Sequence, residues 1–165
     1  MQHDSLQTIY NPHMKTLYID MDNVLVDFKS GIKRISQELH DQYPDDLDDV
    51  PGIFALMDPL PDAIDSFLKL AKVYDTYILS TAPWNNPSAW KDKIEWVKKH
   101  LGKPANKRLI LSHNKHLNIG DYLIDDRLAN GADKFQGEHI HFDTPKFPDW
   151  QTVCDYLLPP NKYDS

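Results

Sequence analysis

Apolar residues along the chain form short unbroken runs that are separated by segments of mixed polarity. A run of about four to eight apolar residues between turn-forming residues is typical of a strand that is buried on both faces of a sheet. Such runs occupy residues 15–20, 76–80, 108–112, 121–125 and 139–142. We therefore expect five strands, the first of which ends at the acidic sequence DMDN.

The segments between these runs carry apolar residues at helical spacing. Ile32, Ile35 and Leu39 predict one helix over 28–43. Further helices are predicted at about 62–73 with Asp62 as the cap, at 85–102 with an asparagine at its start and Gly102 as its stop, at about 128–134 and at about 150–158. Strands that alternate with helices predict an α/β fold, in which helices flank a central parallel sheet.

The stretch between the first strand and the helix that leads to the second strand is the least regular part of the chain. It contains an acidic, proline-bounded loop with the sequence PDDLDDVPG at 44–52. We predict a single domain over 1–165, with a core of about 14–27 and 62–165 and a small helical cap of about 28–61 over the edge of the sheet.

Composition and charge narrow the range of partners. Of the 165 residues, 41% are hydrophobic, which is ordinary for a globular protein. The formal net charge of −7 disfavours a surface that binds long nucleic acids. A single cysteine, Cys154, excludes an intrachain disulfide and a multi-cysteine zinc site. Residues 1–13 read as a loose leader without an apolar secretion segment, and no run approaches the ~18 apolar residues of a membrane span. We expect a cytoplasmic protein that contacts neither nucleic acid polymers nor membranes.

Polar side chains follow four of the predicted strands directly. Because ligands of an open parallel sheet bind beyond the carboxyl ends of its strands, these side chains are expected at one edge. They are Asp20, Asp22, Ser80, Thr81, Ser112, Lys115, Asp125 and Asp126. Clustered carboxylates raise one another's pKa unless a cation intervenes, and an all-oxygen ligand set suits Mg²⁺. An ammonium group and a hydroxyl beside such a site can neutralise and orient a phosphoryl group.

Together these motifs resemble a known family. The segment DMDNVLVDF, the serine after the strand at 76–80, the lysine at position 115 and the segment LIDD are similar to the four motifs of the haloacid dehalogenase (HAD) superfamily of phosphohydrolases, in the same order over about 15–150. More closely, DMDxVLxDF, ILSTAP, KDKIEWVKKHLG and YLIDDR resemble the 5'(3')-deoxyribonucleotidases of that superfamily. The resemblance implies a Rossmann-like HAD fold and a hydrolase that removes phosphate from a small phosphomonoester, with a deoxyribonucleoside 5'(3')-monophosphate as the expected substrate.

The resemblance also implies roles for individual residues. Asp20 would be the nucleophile that forms an aspartyl-phosphate, and Asp22 would protonate the leaving alkoxide and then activate water. Ser80, with the help of Thr81, would bind the phosphoryl oxygens. Lys115 would neutralise developing charge and connect Asp20 to the phosphate.

A Mg²⁺ cofactor follows from the same resemblance. The metal would bind Asp20, the backbone carbonyl of Asp22 and Asp125, while Asp126 would hold a water ligand of the metal. These are the oxygen ligands that Mg²⁺ prefers in proteins.

Two further positions bear on the resemblance. Lys93 matches a helix lysine that contacts phosphate in the nucleotidases, and Lys91 is an adjacent competitor for that role. The family usually has glycine after the second aspartate, where this chain has Asn23. Asparagine tolerates a positive φ better than any residue except glycine, so we expect the turn to be preserved.

The predicted cap is expected to provide substrate choice. Phe28, Phe54 and Met57, with Trp84 from the core, are expected to wall a pocket that stacks a nucleobase. In the nucleotidases an apolar surround disfavours a ribose 2'-hydroxyl, because burial of an unpaired hydroxyl costs about 1–3 kcal/mol. Each of these residues also suits an ordinary hydrophobic core, and that interpretation stays open.

Other functions fit some of the same residues. A phosphatase of the same fold that acts on sugar phosphates would carry the same motifs, and a domain that binds nucleotides without turnover is a second alternative. A receiver-type signalling domain also uses acids, a hydroxyl, a lysine and Mg²⁺, but its phosphoacceptor aspartate ends a middle strand, where this chain has Ser80. His139 and His141 share one strand face, yet two ligands are too few for a zinc site, so a structural role is favoured.

Overall fold

The computed structural model describes residues 13–160, so the predicted leader lies, apart from His13, outside the described residues. The strands are β1 Thr16–Ile19, β2 Val26–Asp27, β3 Asp58–Pro59, β4 Asp75–Ser80, β5 Leu109–Leu111, β6 Tyr122–Asp125 and β7 Glu138–His141. The α-helices are α1 Phe28–Ile32, α2 Gln37–Gln42, α3 Ala63–Leu70, α4 Pro87–His100 and α5 Trp150–Leu157. Turns of 3₁₀ helix lie at Leu47–Asp49, Ile53–Leu56, Lys103–Ala105, Lys115–Leu117 and Ala132–Lys134.

The central sheet is parallel and has the strand order β5-β4-β1-β6-β7. β1 therefore lies in the middle, and its side chains alternate between two cores: Leu17 and Ile19 pack in the larger one, Tyr18 in the smaller one. This architecture confirms the predicted α/β fold class. The order of connection reverses at β1, and open α/β sheets bind ligands in the crevice beyond the strand ends at such a point.

The prediction of a single helix over 28–43 is wrong. Two shorter helices, α1 and α2, occupy this segment, and the second begins where the Ser36 hydroxyl accepts a hydrogen bond from the Leu39 amide at 3.3 Å. Gly31 lets α1 approach residues 53–57 closely, because a Cβ at Gly31 would lie 2.8 Å from Cγ of Met57. Close packing of α1 and a separate cap for α2 thus divide a pattern that looked continuous.

Two other local expectations are also wrong. Residues 128–134 form a turn and one 3₁₀ turn, because Asn130 and Gly131 both have a positive φ, of 54° and 81°, which an α-helix does not accommodate. Asp62 precedes α3 as expected, but its own φ is 62° and its side chain accepts no capping hydrogen bond. The strands and the helices α3, α4 and α5 lie within a few residues of their predicted bounds.

Between β1 and α3 the chain forms a small layer that lies beside α4. β2 and β3 pair in antiparallel fashion, with Val26 opposite Pro59. The indole Nε1 of Trp96 in α4 donates to the Met57 carbonyl oxygen at 3.0 Å. The division into a core of 14–27 and 62–165 and a cap of 28–61 stays a prediction. Every helix within residues 13–160 is too short or too polar to cross a bilayer.

Candidate active site

The first acidic motif lies at the carboxyl end of β1, in the middle of the sheet. The amide of Asp20 still donates to the Ile124 carbonyl oxygen at 2.9 Å, so β1 and β6 remain paired up to this residue. Met21 turns into the larger core. Because neighbouring residues of an extended chain point to opposite sides, Asp20 and Asp22 both face away from that core.

The turn that follows is built around one carbonyl group. The amides of Val24, Leu25 and Val26 all approach the Met21 carbonyl oxygen, at 3.1, 2.8 and 2.9 Å. The chain can fold back this tightly because Asn23 has a φ of 59°, in the left-handed region. The expectation that asparagine preserves the glycine turn is therefore confirmed.

Lys115 joins the first and the last acidic motif. Its Nζ lies 3.0 Å from Oδ1 of Asp20 and 2.5 Å from Oδ2 of Asp125, and all three side chains are almost fully buried. Burial alone would lower the pKa of Lys115, but the charges of Asp20 and Asp125 outweigh it and the pKa is raised. Lys115 is thus held as an ammonium ion between two strand ends.

Three carboxylates form the candidate metal centre. Asp20, Asp125 and Asp126 each offer an oxygen atom, and these atoms lie within 4.8 Å of one another. Burial and then the charge of Asp20 raise the pKa of Asp125, and burial, Asp20 and Asp125 raise the pKa of Asp126 to about 6. Oδ1 of Asp126 is buried without a hydrogen-bond partner. A compact group of hard oxygen donors with one unsatisfied atom fits a divalent cation such as Mg²⁺.

Lys93 joins the second aspartate to the end of β4. Its Nζ lies 2.9 Å from both carboxylate oxygens of Asp22 and 3.1 Å from Oγ of Ser80. It also lies 4.4 Å from the ring centroid of Phe54. Only 1% of Lys93 is exposed, whereas Lys91 is exposed and bonds to Glu95 at 3.1 Å. Of the two lysines that the sequence left open, the structure places Lys93 at the site.

The contacts of Lys93 were not foreseen from the sequence. An ammonium group has three N–H donors, and the two oxygens of Asp22 and the hydroxyl of Ser80 engage them. Burial, partly offset by Lys93, raises the pKa of Asp22, and the charge of Asp20 raises it further. Contact of Lys93 with a phosphate group stays a prediction, and it requires the ammonium to exchange at least one of these partners.

The two hydroxyls at the end of β4 have different surroundings. Ser80 is fully buried beside Lys93. The hydroxyl of Thr81 donates to the Ser112 carbonyl oxygen at 2.7 Å, which commits its proton to the protein. Both residues are at the predicted edge, and their role in phosphate binding stays a prediction.

A cavity of about 310 Å³ opens beside Asp22. Its lining consists of Asp22, Asn23, Phe28, Pro44, Asp45, Leu47, Asp48 and Arg127. The loop at 44–48 provides half of these residues, and no sequence pattern indicated that this acidic loop faces the first acidic motif. Arg127 directly follows the last acidic motif and was equally missed as a pocket residue.

The structure brings only one of the four predicted pocket residues into this cavity. Phe28 lines it, while Phe54 packs edge-on against Phe28 at 5.8 Å and is 3% exposed, as is Met57. Trp84 is 79% exposed and lies against His113, with ring centroids 5.6 Å apart. Phe54 and Met57 are in the core because helix α4 packs over residues 53–57, whereas Trp84 follows the end of β4 and stays on the exposed surface.

His139 and His141 hold the backbone of the last acidic motif. Nε2 of His139 lies 3.1 Å from the Asp125 carbonyl oxygen, and Nε2 of His141 lies 3.0 Å from the Asp126 carbonyl oxygen. Since a carbonyl oxygen only accepts, both Nε2 atoms carry hydrogen in this arrangement. These hydrogen bonds support the structural role that was favoured for the pair, and that role stays a prediction.

Comparison with known proteins identifies the family. Residues 47–153 match the family described as "5' nucleotidase, deoxy (Pyrimidine), cytosolic type C protein". A Vibrio phage KVP40 protein, named provisionally as a 5'(3')-deoxyribonucleotidase, is 60% identical over 146 residues, which are 88% of this chain and 86% of the relative. The chain belongs to this family. As a nucleotidase-family member it is an enzyme of the hydrolase class, and the resemblance drawn from its motifs is confirmed.

More distant relatives agree with this assignment. The human cytosolic-type 5'(3')-deoxyribonucleotidase is 29% identical over 177 residues, with 87% of this chain and 84% of the human protein covered. Among solved structures, the Bacillus subtilis hydrolase YfnB, assigned provisionally to the HAD hydrolases and bound to magnesium, has a TM-score of 0.60 at 11% identity. That comparison covers 88% of this nucleotidase-family chain and 99% of YfnB. At this identity the likeness shows the HAD fold alone.

Proposed function

We propose that the chain is a Mg²⁺-dependent phosphomonoesterase that dephosphorylates deoxyribonucleoside 5'(3')-monophosphates through an aspartyl-phosphate on Asp20. The observation that carries the proposal is the pairing of each acid of the first motif with its own buried lysine. Lys115 lies 3.0 Å from Asp20, and Lys93 lies 2.9 Å from Asp22; both aspartates follow the end of β1. Buried acids with specific charge partners beside a cavity are typical of reaction centres, and Asp22 also has a raised pKa because of its burial.

The chemistry of the donor set supports Mg²⁺ as the cofactor. Asp20, Asp125 and Asp126 would hold the metal, together with the backbone carbonyl of Asp22. When bound, Mg²⁺ supplies neutralisation of charge on the phosphoryl oxygens. The buried oxygen of Asp126 that has no hydrogen-bond partner is the atom that the metal or its water ligand would satisfy.

The proposed reaction uses the two aspartates in turn. An oxygen of Asp20 attacks phosphorus as the ester P–O bond breaks, and Asp22 gives its proton to the departing alkoxide. Water then attacks the phosphorus of the aspartyl-phosphate and passes a proton to Asp22, which releases phosphate and the carboxylate of Asp20. Burial, together with the charge of Asp20, raises the pKa of Asp22 despite the opposing charge of Lys93, and a raised pKa favours its role as the acid.

The substrate part of the proposal rests on the family and the cavity beside Asp22. Its volume of about 310 Å³ is at the lower end of ordinary ligand pockets, which favours a small phosphate ester over a polymer. Phe28 offers an aromatic face, and Arg127 offers positive charge. The names of the phage and human relatives support a deoxynucleoside monophosphate, and the human name also supports action in the cytoplasm.

One experiment separates this proposal from the alternatives. Phosphate release is measured from deoxynucleoside and ribonucleoside monophosphates and from sugar phosphates, with Mg²⁺ or with EDTA, for the wild type and Asp20→Asn. We expect Mg²⁺-dependent turnover of deoxynucleotides by the wild type and none by Asp20→Asn. Equal rates for the two proteins would remove the mechanism, and turnover of sugar phosphates alone would remove the substrate assignment. Nucleotide binding without turnover by the wild type would favour the non-catalytic alternative.

A further inference from the structure

Asn86 connects the start of helix α4 to the acidic loop beside the cavity. Its Nδ2 donates to the Asp48 carbonyl oxygen at 2.8 Å and to the Val50 carbonyl oxygen at 3.0 Å, and the residue is 1% exposed. Asn86 directly precedes α4, where an asparagine normally caps the helix. Its side chain makes no such cap, and Pro87 follows it. The side-chain amide of Asn86 therefore binds the loop at 48–50 instead of the first turn of α4.

Ser88 completes the connection. Its hydroxyl donates to Oδ1 of Asn86 at 2.5 Å and accepts from the amide of Gly52 at 2.9 Å. Both N–H groups of Asn86 face carbonyl oxygens, and its oxygen faces a hydroxyl, so only one orientation of the amide satisfies the group. We call Asn86 and Ser88 the latch; it fastens the acidic loop 44–52 at Asp48, Val50 and Gly52.

Electrostatics explains why this loop needs a latch. The loop carries four aspartates between Pro44 and Gly52 and lies beside Asp22, so like charges oppose its approach to the site, and Lys93 and Arg127 offset part of this repulsion at Asp22. Most of its residues are exposed, and Val50 is its one fully buried side chain. Neutral donors that bind carbonyl oxygens restrain the backbone without adding charge to the pocket.

We infer that Asn86 and Ser88 are positioning residues that fix the loop wall of the cavity beside Asp22 and thereby set the affinity for the nucleoside part of the substrate. They act through Pro44, Asp45, Leu47 and Asp48, which line the cavity, and contact neither Asp20 nor Asp22. The substrate in this inference rests on the proposed function. Loosening the loop is expected to weaken binding of a nucleotide, while a small ester that does not reach the loop reacts as before.

The test compares two substrates in three variants. Asn86→Ala removes the latch, Ser88→Ala removes only its bond to Gly52 and its support of Asn86, and Asn106→Ala is a matched control at an exposed asparagine beyond the other end of α4. KM and kcat are measured for a deoxynucleoside monophosphate and for p-nitrophenyl phosphate. Amide hydrogen exchange of residues 44–52 is followed without substrate, and melting curves establish that each variant is folded.

We expect Asn86→Ala to raise KM for the nucleotide about 10-fold and Ser88→Ala to raise it less, with KM and kcat for p-nitrophenyl phosphate changed less than about 3-fold. Exchange of the Gly52 amide should accelerate in both variants and stay unchanged in Asn106→Ala. Equal losses on both substrates, or an unchanged nucleotide KM in a variant with faster exchange, would overturn the inference. If Asn86→Ala does not fold, the same outcomes are scored on Ser88→Ala. A wild type that turns over p-nitrophenyl phosphate but no nucleotide would overturn the proposed substrate, and the exchange experiment would still decide whether the latch holds the loop.

Discussion

Lys93 donates to both carboxylate oxygens of Asp22 at 2.9 Å, and the two side chains are only 1% and 13% exposed. The ammonium also lies over the ring of Phe54. The proposed acid, Asp22, follows strand β1, whereas the lysine that binds it lies in helix α4. Among the described residues, the hydrogen bonds and the ring contact of Lys93 involve Asp22, Ser80 and Phe54.

Replacement of Lys93 is expected to damage both stability and turnover. Lys93→Met keeps most of the packing but leaves Asp22 buried without its cation, so the pKa of Asp22 should rise further. Breaking a buried pair on one side costs about 3–5 kcal/mol. Lys91→Met is the matched control two residues earlier, where the pair with Glu95 is solvent-exposed and contributes little to stability. Urea unfolding and kcat are measured for both variants; similar effects at the two positions would contradict the assignment of Lys93 to the site.

Asp126 predicts a specific dependence of stability on pH. Its pKa of about 6 in the folded protein lies above the ordinary value of 3.8, because burial and then the charges of Asp20 and Asp125 disfavour its ionised form. Between these two pH values the folded protein binds more protons than the unfolded chain, so the free energy of unfolding contributed by this group falls as the pH rises from about 4 to 6. Above about pH 6 the ionised Asp126 lowers the free energy of unfolding by its full amount.

Asp126→Asn should therefore stabilise the metal-free protein at neutral pH. We expect a gain of about 1–3 kcal/mol at pH 7 and little difference near pH 3, measured by urea unfolding in EDTA. Addition of Mg²⁺ should stabilise the wild type more than the variant, because the variant lacks one of the three carboxylates. Asp45→Asn, in the exposed acidic loop, is the control. A variant that is no more stable than the wild type at pH 7 would show that the ionised form of Asp126 does not destabilise the folded protein.

Phe28 and Trp84 provide a direct comparison between the sequence-based pocket and the observed cavity. Phe28 lines the cavity beside Asp22, whereas Trp84 is exposed against His113. We expect Phe28→Ala to raise the nucleotide KM about 10-fold or more through loss of stacking and contact area, and Trp84→Ala to leave it within about 2-fold. Steady-state kinetics on one deoxynucleotide decides this, and the opposite ranking would favour the original pocket.

Asn23 predicts a ranking of stabilities that depends on backbone conformation. Its φ is 59° and its side chain is exposed, so packing contributes little. Asn23→Gly should change the free energy of unfolding by less than about 0.5 kcal/mol, while Asn23→Val should cost about 1–2 kcal/mol because a β-branched residue is strained in the left-handed region. Equal stability of the two variants in urea would contradict the strained turn.

Much of the site could be predicted because it depends on strand ends. Asp20, Ser80, Lys115 and Asp125 follow apolar runs that any parallel sheet must bury, and the ends of such strands meet at one edge. The positions of these strand ends follow from the lengths and the order of the apolar runs, which are visible in a single sequence. The fold class and the acidic centre followed from this pattern.

The arrangement of residues 28–61 could not be predicted in the same way because it depends on tertiary contacts. The helical pattern at 28–43 is interrupted between Ile32 and Gln37, and the packing of Gly31 on Met57 and the cap at Ser36 are not visible in that pattern. Asn86 was expected at a helix start, and it is there, but its amide binds carbonyl groups more than 30 residues away. Local propensity carries no information about a partner that distant.

The turn around Met21 and the two lysines have a consequence for synthesis of the chain. Asp20 and Asp22 leave the ribosome before either lysine, because Lys93 follows Asp22 by 71 positions and Lys115 comes later still. Until β4, β5 and β6 are available, the nascent acids have neither their cations nor the neighbouring strands of β1, and water must solvate them. A truncated product that ends before α4 is therefore expected to lack a formed reaction centre, however complete its first motif is.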